Sequence, residues 1–312
     1  MQTFSPPVNS LSVRVSPFAL AAAKSSKAPQ SPVGPRFGLK AWNDEASDAL
    51  VTALRENRVM AYGVDLQKDF MLPRHQIKNG LFDGLYVPGA EEVIAFVQRL
   101  TNAIADFVLG KKPFSILHIL SIDTHETNDA EFSIFRTFSK RHCVKGTPGW
   151  DFVDGANISN SVHVIDEAQS IKDVPSAEEI KTLVAEGTTF EIRKNAIDVD
   201  KHRGIIGEHP ETKAPILDIV DNAKAYQLFN NFKKSGRNVA LVYGVATDYC
   251  VRGAVAFLKM LGITPIVVKD AIKGIAPDAL SNPDAPTSII MEDVQEITTE
   301  QLKAVIAKAE KP

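Results

Sequence analysis

The chain has 312 residues, 44% hydrophobic and 23% charged, with net charge −3 and a pI near 6.2. That balance is ordinary for a soluble globular protein, and with no basic stripe of interleaved aromatics it argues against a nucleic-acid surface. No apolar run approaches the roughly 20 residues that span a bilayer, and two cysteines, Cys143 and Cys250, cannot form a disulfide scaffold, so a reducing, cytoplasmic setting is the default.

Residues 1–40 stand apart. They hold no Asp or Glu, seven serines, five basic residues and the run "KAPQSPVGPR". Setting them aside leaves 30 basic against 38 acidic residues, a net −8 for 41–312. An acid-free, Ser-rich start reads either as an organellar transit segment or as a disordered leader, because it lacks the apolar periodicity needed to bury surface. The reading therefore places a single folded domain at 41–312.

Along that domain, "NDEASDALVTALREN" (43–57) predicts a helix with acidic residues in its first turn, and "RVMAYGVDL" (58–66) a buried strand running into Asp65 and Asp69. "VPGAEEVIAFVQRLTNAIADFVLG" (87–110) predicts an amphipathic helix closed by Gly110. "PFSILHILSID" (113–123) reads as a second buried strand leading into a His/Asp/Glu-rich stretch. "PSAEEIKTLVAEG" (175–187) carries a capping box at Ser176 and Glu179, and "TTFEIRKN" (188–195) is a third strand. A helix over 219–236, a strand over 238–247, a helix over 248–262 and a strand over 263–271 complete the pattern. Strands alternate with helices and are continuously apolar, which predicts an α/β fold: a three-layer α/β/α sandwich around a mostly parallel central sheet.

Sheets of this kind bind ligands beyond the carboxyl ends of their strands. The residues expected there are Asp65, Asp123 with His125, Lys194, and the turn from Ala246 to Cys250. A cysteine in the first turn of a helix meets unsatisfied N–H groups and the positive end of the helix dipole, both of which favour the thiolate. It reads as a nucleophile, or as a core cysteine on the buried helix face. No histidine is poised as its base, since His118, between Leu117 and Ile119, fits a core role. Asp65, its pKa raised by burial, could take the thiol proton, and Lys194 could stabilise developing negative charge. Taken singly, Asp65 reads also as a surface carboxylate and Lys194 as a solvated strand end. Asp123 and His125 lie two apart, on one side of an extended chain; with His142 and Glu131 they suit Zn, Mn or Fe in an open site, the alternative being that they cap a loop. Gly63, Gly84 and Gly89 form no phosphate-cradling loop, and Cys143 reads as structural.

Taken together, "VDLQKDF" (64–70), "VPGAEE" (87–92), "DTH" (123–125), "HCVKGTPG" (142–149), "RKN" (193–195) and "GVATDYCV" (244–251) resemble the isochorismatase-like cysteine hydrolases, and among them the nicotinamidases. The stretches fall in family order over about 190 residues. The resemblance implies an isochorismatase-like fold with Asp65, Lys194 and Cys250 as catalytic residues and Asp123, His125, His142 and, in some members, Glu131 as ligands to a divalent metal, zinc first and manganese or iron next. It implies a non-proline cis peptide at Val245–Ala246, an oxyanion hole from the N–H groups of Ala246 and Cys250, and Phe70 and Tyr249 beside the substrate ring.

The activity implied is hydrolysis of nicotinamide to nicotinate and ammonia through a Cys250 thioester, a step in NAD salvage. The expected partner is a small amide substrate, with no nucleic acid or membrane involved, and the expected assembly is a homo-oligomer. Cytoplasmic residence is expected, with organellar import through residues 1–40 as the alternative. Three departures bear on the substrate, one of them the long stretch "IDVDKHRGIIGEHPETKAPILDIV" (197–220) after Lys194, expected to reshape the mouth of the site. The stretch before His142 is "SKRHC", with Ser139 where relatives often carry a Trp-Pro pair, and Trp150 stands where a small residue is common. The alternative reading is therefore a related cysteine amidase for another small amide, ureide or carbamoyl compound. A non-catalytic binding protein would be expected to lack a triad member, and a peroxide sensor would need Cys143 as an exposed resolving cysteine.

Overall fold

In the computed structural model, residues 39–129, 132, 140–166, 170–195, 205–208, 215–217, 223–276, 280 and 290–312 are described. The leader expected at 1–40 lies almost wholly outside them, as does Glu131. Helix α1 (Asp44–Arg55) starts where expected, its Asn43 side chain accepting the Ala46 N–H. Strand β1 (Val59–Val64) leads through a single helical turn, Lys68–Met71, toward α2 (Glu91–Val108). Then follow β2 (Leu117–Thr124), β3 (Val162–Ile165), α3 (Ala177–Ala185) and β4 (Thr189–Asn195). The Ser176/Glu179 capping box at the start of α3 is formed as the sequence predicts.

A small antiparallel hairpin, β5 (Ile205–Glu208) with β6 (Pro215–Leu217), precedes α4 (Ala223–Lys234). The chain closes with β7 (Val239–Val245), a wide turn Thr247–Val251 with π-helical bonding, α5 (Arg252–Met260), β8 (Thr264–Lys273), β9 (Gln295–Ile297) and α6 (Thr299–Ala309). The main sheet runs β3-β4-β2-β1-β7-β8-β9, parallel throughout. One compact unit extends from Arg36 to Pro312. None of its described helices is long and apolar enough to cross a membrane.

Alternation along β1 divides the core. Val59 and Ala61 pack with α1, α2 and α6 on one face, whereas Met60, Tyr62 and Val64 pack with α3, α4 and α5 on the other. Both β1 and β7 are buried along their whole length, which is why they read as unbroken apolar runs. Two differences from the sequence reading have local causes. β2 begins at Leu117 rather than Pro113, because the N–H of Ser115 is taken by Asn57 (2.6 Å) and that of Ile116 by the Phe107 carbonyl (3.3 Å). Strands β3 and β9, the sheet's two edges, have only four and three residues, too few for apolar periodicity to reveal them.

Candidate active site

The four strand ends named from the sequence meet at one rim. Strand β1 stops at Asp65, which turns into the left-handed region (φ 49°) while its N–H still donates to the Ser121 carbonyl at 2.9 Å. The Asp65 side chain is 1% exposed, and Lys194 Nζ donates to its Oδ2 at 2.6 Å. The register explains the meeting: β1 pairs Val64 with Ser121 on β2, and β2 pairs Asp123 with Lys194 on β4. From the other side β7 pairs Val64 with Gly244. Gly244 has φ +117°, and a Cβ there would overlap the Val64 carbonyl, so glycine allows β7 to deliver the next residues against Asp65. The Val245–Ala246 peptide is cis. The Ala246 carbonyl then accepts the N–H groups of both Tyr249 (3.0 Å) and Val251 (3.1 Å), forming the wide turn that carries Cys250.

Cys250 keeps part of its surface exposed, and its thiol interacts with both Asp65 and Lys194. Asp65 Oδ1 is buried, and the Cys250 thiol lies within hydrogen-bonding reach of the carboxyl group. Burial pushes the Asp65 carboxyl up, with Lys194 opposing. Burial alone would depress Lys194, but the negative charges of Asp65, Cys250 and Asp123 outweigh it and hold the ammonium well above its ordinary value. The sequence reading had the helix start favour the thiolate. The structure corrects this: burial, with Asp65 adding to it, pushes the Cys250 thiol well up, Lys194 offsetting only part. Activating the sulfur therefore calls for a proton acceptor beside it.

Beside this cluster stand Asp123, His125 and His142, each offering one ligand atom, all within 4.8 Å of one another. His125 Nε2 lies 2.9 Å and His142 Nε2 3.5 Å from Asp123 Oδ2. Both other ring nitrogens are engaged, His125 Nδ1 with Asp129 Oδ2 (3.0 Å) and His142 Nδ1 with the Lys140 carbonyl (2.7 Å). A carboxylate or carbonyl behind each imidazole is the arrangement that fixes the tautomer of a metal-ligating histidine, leaving Nε2 to the metal. The donor set fits a divalent cation of the zinc type.

Aromatic rings frame the group. Phe70, buried, lies 5.5 Å from the His142 ring, and Phe132 lies 5.0 Å and 5.4 Å from His125 and His142. Tyr249 stands at the rim, 36% exposed. His118, as expected, is a core residue: Nδ1 meets Thr189 Oγ1 at 2.9 Å, Nε2 meets the Tyr243 hydroxyl at 3.0 Å, and burial lowers its pKa to about 3. Cys143 is fully buried, without the exposure a resolving cysteine needs.

Three side chains make contacts that the sequence did not show. Gln67 is fully buried; its Nε2 donates to the carbonyls of Asp123 (2.8 Å) and Trp150 (3.1 Å), and its Oε1 accepts the Asp123 N–H (2.7 Å). Asp248 accepts the N–H groups of Ile275 (2.9 Å) and Ala276 (2.8 Å), tying the Cys250 turn to the end of β8. Trp150 donates to Thr124 Oγ1 at 3.2 Å, and the Arg193 guanidinium sits 5.2 Å over its ring. A polar residue beside a strand-end acid was the only sequence signal for Gln67, and nothing local marked its partners.

No protein-family model and no curated protein matches the chain. Among solved structures it is similar to an isochorismatase-like hydrolase from Alkaliphilus metalliredigens (16% identity, 80% of this chain and 99% of that one, TM-score 0.47). More particularly, similar structures include the pyrazinamidase of Pyrococcus horikoshii in complex with zinc (21% identity, 77% and 99%, TM-score 0.46). Another is the N-carbamoylsarcosine amidase of Thermoplasma acidophilum (15% identity, 78% and 97%, TM-score 0.44).

Proposed function

We propose that the chain is a metal-dependent cysteine amidohydrolase of the isochorismatase-like type, and that its substrate is nicotinamide, cleaved to nicotinate and ammonia. The observation that carries this reading is the side-by-side placement of Asp65, Lys194 and Cys250 with the Asp123/His125/His142 donor set at one sheet rim. Asp65 takes the Cys250 proton as the sulfur attacks the carboxamide carbon. The N–H groups of Ala246 and Cys250 hold the resulting oxyanion, with Lys194 near enough to steady the negative charge. Asp65 returns the proton to nitrogen, the C–N bond breaks, and ammonia leaves a thioester on Cys250. A water molecule then gives a proton to Asp65 and adds to the thioester, the C–S bond breaks, and the thiolate recovers the proton. The sum is amide plus water to acid plus ammonia.

The metal, zinc in this proposal, would be held by Asp123, His125 and His142, with Glu131 a further candidate. When bound it would anchor the ring nitrogen and so orient the carboxamide toward Cys250. Phe70 and Tyr249 are the proposed ring contacts.

The test is ammonia release from nicotinamide by zinc-loaded protein, beside a Cys250→Ala control and metal analysis of His142→Ala. Release that depends on Cys250 supports the assignment. Turnover of a ureide or carbamoyl amide with none of nicotinamide would move the substrate to that class, and Trp150 at the rim is the residue that would then explain it.

A further inference from the structure

We infer that Asp69, the second acid of "VDLQKDF", is a positioning residue for the proposed metal site, acting through the backbone of Cys143; the inference rests on the metal reading above. Asp69 is 4% exposed, and its Oδ2 accepts the Cys143 N–H at 2.7 Å, a charge-assisted bond. Cys143 has φ 47°, a left-handed conformation that a residue with a side chain seldom adopts unaided. Its carbonyl accepts the His125 N–H at 3.0 Å, and the Lys145 N–H donates to the His125 carbonyl at 2.9 Å. The kink at Cys143 is thus held from both sides, by Asp69 at its N–H and by His125 at its carbonyl. That kink directly follows His142, whose imidazole meets Asp123 and His125, the latter 17 residues earlier in the chain.

The surroundings are shaped for this carboxylate. A Cβ at Gly149 would overlap all three atoms of the carboxyl group, and one at Gly84 would approach Oδ1 at 3.0 Å. The Asp69 main chain is pinned as well, its N–H donating to the Gly149 carbonyl (2.9 Å) and its carbonyl accepting the Leu85 N–H (3.1 Å). Burying a carboxylate is costly, and an apolar side chain would fill the same space more cheaply. What an apolar side chain could not supply is the acceptor for the Cys143 N–H.

The experiment titrates full-length protein with Co(II), reading affinity and the visible d–d spectrum, which reports ligand geometry without turnover. Asp69→Ala should bind Co(II) about 10–100-fold more weakly, the usual cost of losing a residue that orients a ligand, with an altered spectrum. Asp69→Asn keeps an acceptor without the charge and should lose about threefold, since a neutral bond is roughly half as strong. Adding Cys143→Gly, which accepts φ 47° freely, should recover part of either loss, a recovery that a general packing defect at position 69 would not show. Should Asp69→Ala fail to fold, Asp69→Asn with and without Cys143→Gly carries the same comparison. Parent-like affinity and spectrum in the folded Asp69 variants, or no recovery on adding Cys143→Gly, overturns the inference alone. A parent protein that takes up no Co(II) overturns the metal reading and the inference with it.

Discussion

Replacing Gln67 by leucine fills nearly the same volume and removes every polar contact the side chain makes. Three hydrogen bonds go: two from Nε2, to the Asp123 and Trp150 carbonyls, and one from the Asp123 N–H to Oε1. Each is worth about 1 kcal/mol net, and groups left buried without a partner cost about 1–3 kcal/mol apiece. Because Gln67 is fully buried, water cannot easily replace it, and the expected loss is about 3–5 kcal/mol of stability, a large part of the ~5–15 kcal/mol a domain has. The loss is also local. Gln67 grips both the N–H and the carbonyl of Asp123, so its removal frees the residue that carries one candidate ligand, and metal affinity should fall about 10–100-fold. Urea unfolding followed by tryptophan fluorescence measures the first effect, as a lowered midpoint at unchanged slope. A Co(II) titration in the folded range measures the second. A stability loss under about 1 kcal/mol together with parent-like metal binding would show that the clamp across Asp123 holds nothing.

Four further outcomes are expected. Asp65→Asn removes the proposed proton acceptor and should lower kcat by about 10²–10⁴-fold. In the parent protein, kcat/KM should fall in acid with a midpoint above the ordinary carboxylate value of about 3.9, because burial raises the Asp65 pKa and the protonated acid cannot accept the thiol proton; an acid limb at or below that value would contradict the role. His118, lowered from 6.5 to about 3, stays neutral in the fold while the unfolded chain takes up a proton below pH 6.5. Stability from this residue is present above that pH and is lost as pH falls, by about 2 kcal/mol between pH 7 and 5. Urea unfolding of His118→Gln at the two pH values should show correspondingly less acid sensitivity, and equal slopes would refute the assignment. Gly244→Ala sets a side chain at φ +117° against the Val64 carbonyl; strain plus overlap should cost about 3–5 kcal/mol, seen as a lowered Tm, and an unchanged Tm would mean that the β1–β7 approach is looser than described.

The amino-acid order by itself determined the class of fold and the addresses of the chemistry. Short unbroken apolar runs such as "VMAYGV" and "VALVYGV", alternating with longer helical patterns, read as strands covered on both faces, and in a parallel sheet their ends share one rim, so Asp65, Asp123, Lys194 and Cys250 were legible as neighbours from the sequence. The same order left the edge strands unseen, because three or four residues carry no period. It could not weigh two opposing influences on Cys250 either. The helix start is visible in the sequence, whereas the depth of burial and the charge of Asp65, 185 residues away in the chain, exist only after folding, and these push the thiol up. The roles of Gln67 and Asp69 were hidden for a related reason. Their work is done on main-chain groups of Asp123, Trp150 and Cys143, and a backbone N–H or carbonyl looks the same in every residue of a sequence. Only the tertiary structure decides which of those groups is left without a partner from its own strand or helix, and therefore which side chain must supply one.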